Sequence, residues 1–585
     1  MTHPGILSIA LTYTLGGMLP DMTNARKVVI IGGVAGGMSA ATRLRRLDEH
    51  ARITVLERSG HVSFANCGLP YHVGGVIEDR EALLLQTPES LDERFGLDVR
   101  VHHEALRIDR DRRVVVARDL ATGAEHEHPY DALVLSPGAR PVRPPIPGIG
   151  RALSLRDIED TDALVAATEG AWTAVVIGGG FIGVEMAENL VRRGLEVTLV
   201  EAMPQVMAPL DPEMATPVHD RLRAHGVALR LGVGVTEIGA DTVTLSDGST
   251  APADLVVAAI GVRPETSLAE AAGLAIGPAG GIAVDASLRT SDPAIWAVGD
   301  AVEKRDSLSH EAVLVPLANT ANLQGRMVAD LICGRPARLR DVSGTAILGV
   351  FGLQVAVTGW NEKRLRAAGR PHRVIHVHPS SHAGYYPGAE SMALKLLVDP
   401  ATDAILGAQG TGLDGVDKRI DVIATAMAGG LTASELAGLE LAYAPQFGSA
   451  KDPVNMLGYL AENLADGLTR TVQWHELRDR MADGAVLVDV RTAAEHAEES
   501  IPGSLLIELD TLRSRLGEIP EGRPVIVHCG VGLRAHTAAR LLAQHGYDVA
   551  NLDGGHRTWL AGTRATGDGP AQGRELAGSG LRAGR

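Results

Sequence analysis

Cysteine is almost absent: 585 residues carry only Cys67, Cys333 and Cys529, far apart and with no C-x-x-C pair among them. That excludes a disulfide scaffold, a thiolate zinc site and a redox dithiol formed by neighbouring residues. Such usage fits an intracellular, reducing compartment, here expected to be the cytoplasm, and a cysteine that does chemistry must act as a single thiol. A basic excess is missing too. Against 71 Asp and Glu stand 55 Lys and Arg, a net charge of −16 with no long like-charge block, so nucleic acid is not an expected partner. Long apolar runs are also missing. Residues 6–19 lack a basic flank and are too short to span a bilayer, and no other segment reaches about 18 uninterrupted apolar residues, so membrane insertion is not expected. Aromatics are sparse (5 Phe, 5 Trp, 8 Tyr) while glycine numbers 68, a balance that suits α/β layers built on nucleotide-binding turns.

At about 150 residues per domain the length calls for three or four domains. Residues 1–25 read as a disordered extension or a misassigned start, because Met22 precedes the first clear strand. From there the pattern is strand 28–31, glycine turn 32–37, helix 38–47 and strand 53–57. It recurs as strand 174–177, turn 178–183, helix 184–193 and strand 197–201. Two βαβ dinucleotide-binding units therefore repeat at an interval of 146 residues. The chain divides into a first nucleotide domain (26–141 with 267–340), a second inserted in it (142–266), an α+β segment (341–462), a further α/β module (467–563) and a Gly/Ala/Arg-rich tail (564–585) expected to be disordered.

The second turn, Gly178-Gly179-Gly180-Phe181-Ile182-Gly183, matches G-x-G-x-x-G in full. Gly178 makes the tight turn, Gly180 lets backbone approach a pyrophosphate, and Gly183 allows close helix–strand packing, with the phosphates at the helix N-terminus. Glu201 ends the next strand, where a carboxylate accepts from a ribose 2′-OH and repels a 2′-phosphate. Ala202 and Met203 supply no compensating cation, so NADH is preferred to NADPH. The first turn runs Gly32-Gly33-Val34-Ala35-Gly36-Gly37, with Val34 in place of the middle glycine, and Glu57 repeats the ribose acceptor.

Three further stretches, Ser136-Pro137-Gly138-Ala139, Ile260-Gly261-Val262-Arg263-Pro264-Glu265 and the apolar strand ending in Gly299-Asp300, resemble the junction and flavin-binding sequences of flavoproteins with two dinucleotide domains. The resemblance implies FAD in the first domain, with Asp300 on the ribityl chain, and NADH in the second. Cys67 lies in Ser63-Phe64-Ala65-Asn66-Cys67-Gly68-Leu69-Pro70-Tyr71, which resembles the active-site segment of the coenzyme A disulfide reductase family and its persulfide reductases, single-cysteine pyridine nucleotide-disulfide oxidoreductases. A lone thiolate facing a flavin can attack a disulfide or persulfide and hold the product as a mixed disulfide. That resemblance, which covers about residues 26–462, implies coenzyme A contacts at Ser39, Arg43, Arg46, Ser63 and Asn66. It also implies that segments 382–388 and 443–453 reach the partner subunit's active site in a homodimer. Tyr386 and Tyr443 would flank Cys67 as phenolic donors, with Tyr385 the alternative to Tyr386, and Lys451 would meet coenzyme A phosphate. Glu185, in the helix after Gly183, reads either as a solvated residue or as one meeting the flavin or nicotinamide.

The last module resembles a rhodanese domain in Val486-Leu487-Val488-Asp489-Val490-Arg491, Ile501-Pro502-Gly503-Ser504, the loop Cys529-Gly530-Val531-Gly532-Leu533-Arg534 and Leu552-Asp553-Gly554-Gly555. Backbone N–H groups and the N-terminus of helix 535–544 would surround the Cys529 sulfur, with Arg534 beside it. Ser500 replaces the usual His and Glu508 the usual Pro. His372, His376, His378 and His382 cluster without Cys or carboxylate ligands at metal spacing, so they read as a polar strand edge and no metal is expected. Cys333 reads as core. The expected architecture is α/β: two Rossmann-like FAD/NAD-binding domains, an α+β dimerisation domain and a C-terminal α/β rhodanese domain. The expected function is NADH-dependent reduction of coenzyme A disulfide, coenzyme A persulfide or polysulfide through FAD and Cys67, with sulfane sulfur handled on Cys529. Alternatives are an NADH oxidase or peroxidase cycling a Cys67 sulfenic acid, or a sulfurtransferase whose flavoprotein part senses redox state.

Overall fold

The computed structural model describes residues 25–567, so almost all of the expected extension and most of the tail lie outside the described residues. Near-continuous Val/Ile runs, buried on both faces, build two parallel sheets. The first has the order Ile295–Ala297, Ala132–Leu135, Lys27–Ile31, Arg52–Leu56, Asp98–Arg100; the second runs Ala228–Leu231, Glu196–Glu201, Thr173–Ile177, Leu255–Ala258. Each carries a three-stranded antiparallel sheet, beginning at His103–Asp109 in one and Val235–Ile238 in the other. The repeat thus extends beyond the βαβ unit. The chain leaves the first sheet and returns to it through an antiparallel ribbon that pairs Ala139–Pro141 with Val262–Pro264.

Both helices start inside their glycine turns, at Ala35–Leu47 and Phe181–Arg192, three residues earlier than the sequence suggested. The last glycine of each turn lies against the carbonyl of the first. A Cβ on Gly37 would stand 1.9 Å from the Gly32 oxygen, and one on Gly183 would stand 1.8 Å from the Gly178 oxygen. Gly32 and Gly178 hold φ of +99° and +104°, a left-handed conformation that L side chains rarely adopt. Val34 departs from the motif at no conformational cost, since it caps its helix at φ −115°.

The third region is an antiparallel sheet ordered Ala346–Val350, Leu353–Gly359, Ile405–Gly412, Met392–Val398, Arg373–Val377. Helices Val416–Gly429 and Pro453–Ala465 close its core. The last is a parallel sheet ordered Thr471–Val472, Val549–Leu552, Val525–His528, Val486–Asp489, Leu505–Leu506. Its final helix, Gly555–Thr566, overruns the expected end at 563 because it lies along helix Pro212–Ala224, where Arg564 pairs with Asp220 at 2.7 Å. The polar edge expected at His376 and His378 is also corrected. Arg373–Val377 is the edge strand, but the last module covers it, and His376 is buried against Asp553. Cys333 caps the helix Ala318–Ile332, half-buried against the first domain's core. Among the described residues no helix is long and apolar enough to cross a membrane.

The glycine contacts separate two substitutions. Gly183→Ala forces a methyl into the Gly178 carbonyl and is expected to lower stability by about 1–3 kcal/mol in denaturant unfolding. At Gly180 a Cβ meets nothing within 4 Å, so Gly180→Ala should leave stability unchanged and weaken NADH binding alone, read by nucleotide titration.

Candidate active sites

The two turns present the same apparatus. The Glu57 carboxylate accepts from Gly33 N at 2.7 Å and Ser59 N at 2.9 Å. That of Glu201 accepts from Gly179 N at 2.6 Å and Met203 N at 2.7 Å. Each carboxylate is fixed at the turn with lone pairs left for a ribose hydroxyl. Around the first turn a Cβ on Gly36 would stand 2.9 Å from Ser136 Oγ and 3.0 Å from Val298 Cγ2, and Gly138 turns the chain at φ +71°. Asp300 Oδ1 is buried there without a hydrogen-bond partner, and burial raises the acid's pKa. Lys304, which donates to the Gly299 oxygen at 2.9 Å, is pushed down to about 8 by its own burial. An orphaned buried carboxylate oxygen beside a phosphate-accepting turn fits the polyol of a flavin nucleotide. On this observation the residues present suit FAD.

Cys67 sits on the one-turn helix Asn66–Gly68, exposed, just before helix Leu69–Val73. Its thiol pKa is raised by partial burial, then by the Glu185 and Asp300 carboxylates. Three segments therefore converge on the sulfur: its own loop, the flavin-domain turn at Asp300, and the helix that follows the second glycine turn. Tyr71 ties two of them together, donating to Glu185 Oε1 at 3.0 Å. Burial raises the pKa of both Glu185 and Tyr71. Glu185 is thus not a solvated helix residue. Tyr71 was missed; its place one helical turn after Cys67 was the available signal.

The expected coenzyme A contacts are unequally available. Arg46 and Lys451 are exposed, with no side-chain partner among the described residues, and Asn66 is exposed beside Cys67. Ser63 is half-buried at φ +49°. Ser39 Oγ donates to Asn322 Oδ1 at 2.5 Å. Arg43 is half-buried in an ion pair with Asp330 at 2.8 Å, so the expected Arg43/Arg46 pair presents one free guanidinium. The tyrosines also differ from expectation. Tyr385, 76% exposed, shares a 2.8 Å hydrogen bond with Tyr443, whereas Tyr386 stands edge-on to His382 with centroids 5.6 Å apart. Within one chain none of the three bonds Cys67 among the described residues.

In the last module Cys529 is buried, and its sulfur accepts from Gly532 N at 3.2 Å. Gly532, at φ +95°, caps the helix Leu533–Gln544, which starts two residues earlier than expected and brings its N-terminus to the sulfur. Arg534 is beside it but committed: both terminal nitrogens reach Glu495, at 2.8 and 2.5 Å. That Arg534 pairing, with the Thr492 cap, holds Glu495 down at about 2. Glu508, unusual at its position, accepts from Ala493 N at 2.6 Å and so helps start helix Ala493–Glu498.

Two glycine turns that each fix a carboxylate, an orphan carboxylate oxygen and a single thiol near it fit a two-nucleotide oxidoreductase, joined to a module whose loop encloses a second thiol. The profile of pyridine nucleotide-disulphide oxidoreductases matches residues 26–325, that of their dimerisation domain 345–453, and that of rhodanese-like domains 473–562. The coenzyme A disulfide reductase of Staphylococcus aureus (strain bovine RF122 / ET3-1) is 33% identical over 443 residues, 74% of this chain and 100% of that one. Reduced CoADR-RHD of Bacillus anthracis superposes with TM-score 0.91 at 47% identity, covering 92% of this chain and 99% of its own. An NAD-dependent persulfide reductase from A. fulgidus gives 0.86 at 39%, covering 91% and 100%. The water-forming NADH oxidase of Lactobacillus brevis gives 0.73 at 28%, covering 76% and 100%. The chain belongs to the pyridine nucleotide-disulphide oxidoreductase family, in its coenzyme A disulfide reductase branch, and carries a rhodanese domain.

Because the Glu185 carboxylate raises the Cys67 pKa, Glu185→Gln should lower it. At neutral pH the variant should be alkylated by iodoacetamide faster than the parent at Cys67, measured by peptide mass; an unchanged rate contradicts the electrostatic coupling.

Proposed function

We propose that this chain uses NADH to reduce coenzyme A disulfide and the corresponding coenzyme A persulfide, with Cys67 as the attacking thiol, and that Cys529 handles sulfane sulfur. The observation that carries the reading is the convergence of Glu185 and Asp300 on one exposed thiol with no second cysteine beside it. Bound at the first turn, the flavin supplies two-electron transfer between nicotinamide and sulfur. Cys67 thiolate attacks one sulfur of coenzyme A disulfide, breaking the S–S bond, releasing one coenzyme A thiolate and holding the other half as a mixed disulfide. Two electrons then cleave that mixed disulfide, returning Cys67 as thiolate and releasing the second coenzyme A thiolate. With the persulfide, attack on the inner sulfur expels hydrosulfide and leaves the same mixed disulfide.

Arg46 supplies the free cation for coenzyme A phosphate, with Lys451 from the partner subunit, while Arg43 braces the helix that carries Arg46. Tyr443 with Tyr385 forms the phenolic pair presented to the partner's Cys67, a change from Tyr386 that the 2.8 Å pair supports. We assign residues 26–141 with 267–340 to the flavin, 142–266 to NADH, 341–462 to dimerisation and 467–566 to sulfur handling. The single-thiol economy supports a reducing, cytoplasmic setting.

Rapid mixing tests the reading. The parent holoenzyme, reduced by NADH, should reoxidise on addition of coenzyme A disulfide or persulfide, whereas Cys67→Ser should be reduced normally and then fail to reoxidise. Equal reoxidation by both proteins would falsify the proposal. Oxygen consumption with NADH alone at the rate of the sulfur substrates would favour an oxidase instead.

A further inference from the structure

The rhodanese domain is tied to the other domains by a buried polar cluster. On the edge strand Arg373–Val377, the His376 ring meets Asp553 Oδ2 at 2.7 Å and Glu213 Oε1 at 3.1 Å, while its backbone N donates to the same Asp553 carboxylate. Glu213 opens the helix Pro212–Ala224 of the NADH domain. Lys395 Nζ, wholly buried, lies 2.5 Å from Glu213, 2.9 Å from Asp211 and 2.6 Å from Glu362. The ammonium occupies the centre of these three acids, so they are not a cation site. Three domains thus share one set of charges.

Asp553 leads directly to the sulfur. It precedes Gly554 and Gly555, both left-handed at φ +64° and +63°. Gly555 lies so close under the Cys529 loop that a Cβ would stand 2.5 Å from the Cys529 oxygen and 2.8 Å from Gly532 N. His556 N donates to the Cys529 oxygen at 2.8 Å and Arg557 N to the Gly530 oxygen at 3.0 Å. The loop that holds Cys529 is therefore stapled to a turn whose first residue is anchored by a histidine of the dimerisation domain. A Cβ on Gly554 would stand 2.9 Å from His376 Cβ, which leaves no room for that turn to slide.

We propose that His376, acting through Asp553, is a positioning residue for sulfur transfer at Cys529, so that the rhodanese site is competent only while docked on the reductase. The inference rests on the assignment of Cys529 to sulfur handling. The step positioned is attack of Cys529 thiolate on the outer sulfur of a persulfide: a Cys529 S–S bond forms, the donor S–S bond breaks, and the donor leaves as its thiolate, with no net redox change.

Protonation of His376 matters because both its ring nitrogens face carboxylates. The groups around it are Asp553, Glu213 and, beyond Glu213, Lys395 with Asp211 and Glu362; His378 of its own domain faces Thr558 and Arg557 of the rhodanese module, and Gln473 donates to Asp553. Burial opposes its charge, but Asp553 and then Glu213 hold its pKa up at about 9. The folded value exceeds the ordinary 6.5, so this contribution to docking is complete below that pH and is lost as pH rises through about 9.

The test uses full-length holoenzyme. Loading of Cys529 from glutathione persulfide is followed as one added sulfur by mass, on a Cys67→Ser background, across pH 6.5–10. His376→Gln should load about tenfold more slowly at neutral pH, and it should lack the parent's decline towards pH 10 once each rate is divided by that of free thiol chemistry. Asp553→Asn should behave likewise. In otherwise unaltered chains both substitutions should leave NADH reduction of the flavin within about twofold, which separates positioning from general unfolding. Parent-like loading in His376→Gln, or equal loss of loading and flavin reduction in both variants, overturns the proposal. A parent that never loads Cys529 overturns the sulfur-handling assignment and this proposal with it.

Discussion

Everything in the reductase part depends on two places where a helix touches the carbonyl that opens its own glycine turn. At Gly37 on Gly32 and at Gly183 on Gly178, no side chain fits between. Because the contact is backbone on backbone, each turn has one geometry, and the neighbouring carboxylates Glu57 and Glu201 are bonded into the same place in both. The helix leaving the second turn carries Glu185 to the Cys67 loop, and the strand Ile295–Ala297 beside the first turn leads into the short turn Gly299–Ala301 that holds Asp300. The thiol stands where those two rigid elements meet.

A single thiol at that point constrains the chemistry more than a pair would. With two cysteines the electrons can rest in an internal disulfide. With one, the oxidised sulfur must hold something brought from outside, and the site must then recognise that molecule. In the proposed reading, the exposed cations Arg46 and Lys451 and the phenol pair Tyr385–Tyr443 meet this demand. Partial burial, and after it the Glu185 and Asp300 carboxylates, keep the Cys67 pKa up, so the resting site favours the thiol over the thiolate.

Much of this was legible in the sequence because the chemistry is written in residues that cannot be exchanged at short range. Glycine is required at Gly32, Gly37, Gly178 and Gly183 by a steric contact, and the cysteine loops are contiguous strings. Val34 shows the limit of the rule: its position needs no left-handed φ, so a side chain is tolerated there. What escaped were pairings between distant residues. Arg43 looked free until Asp330 closed on it, 287 positions away. Tyr385 and Tyr386 are equivalent in sequence, and only the course of the loop sends one to Tyr443 and the other to His382. The cluster of Lys395, Asp211, Glu213, Glu362, His376 and Asp553 draws on three domains, and no local spacing announces it. His376 and His378 read as a polar edge since the sequence does not say which module covers that strand.

In the proposed function Cys67 turns over through a mixed disulfide with a coenzyme A thiol. The direct measurement is the mass of the Cys67 peptide after oxidised holoenzyme is mixed with coenzyme A persulfide or disulfide and quenched in acid. One coenzyme A joined to Cys67, removed by one equivalent of NADH, is the expected result. An unmodified Cys67, or a sulfenic acid formed there only in the presence of oxygen, would contradict it.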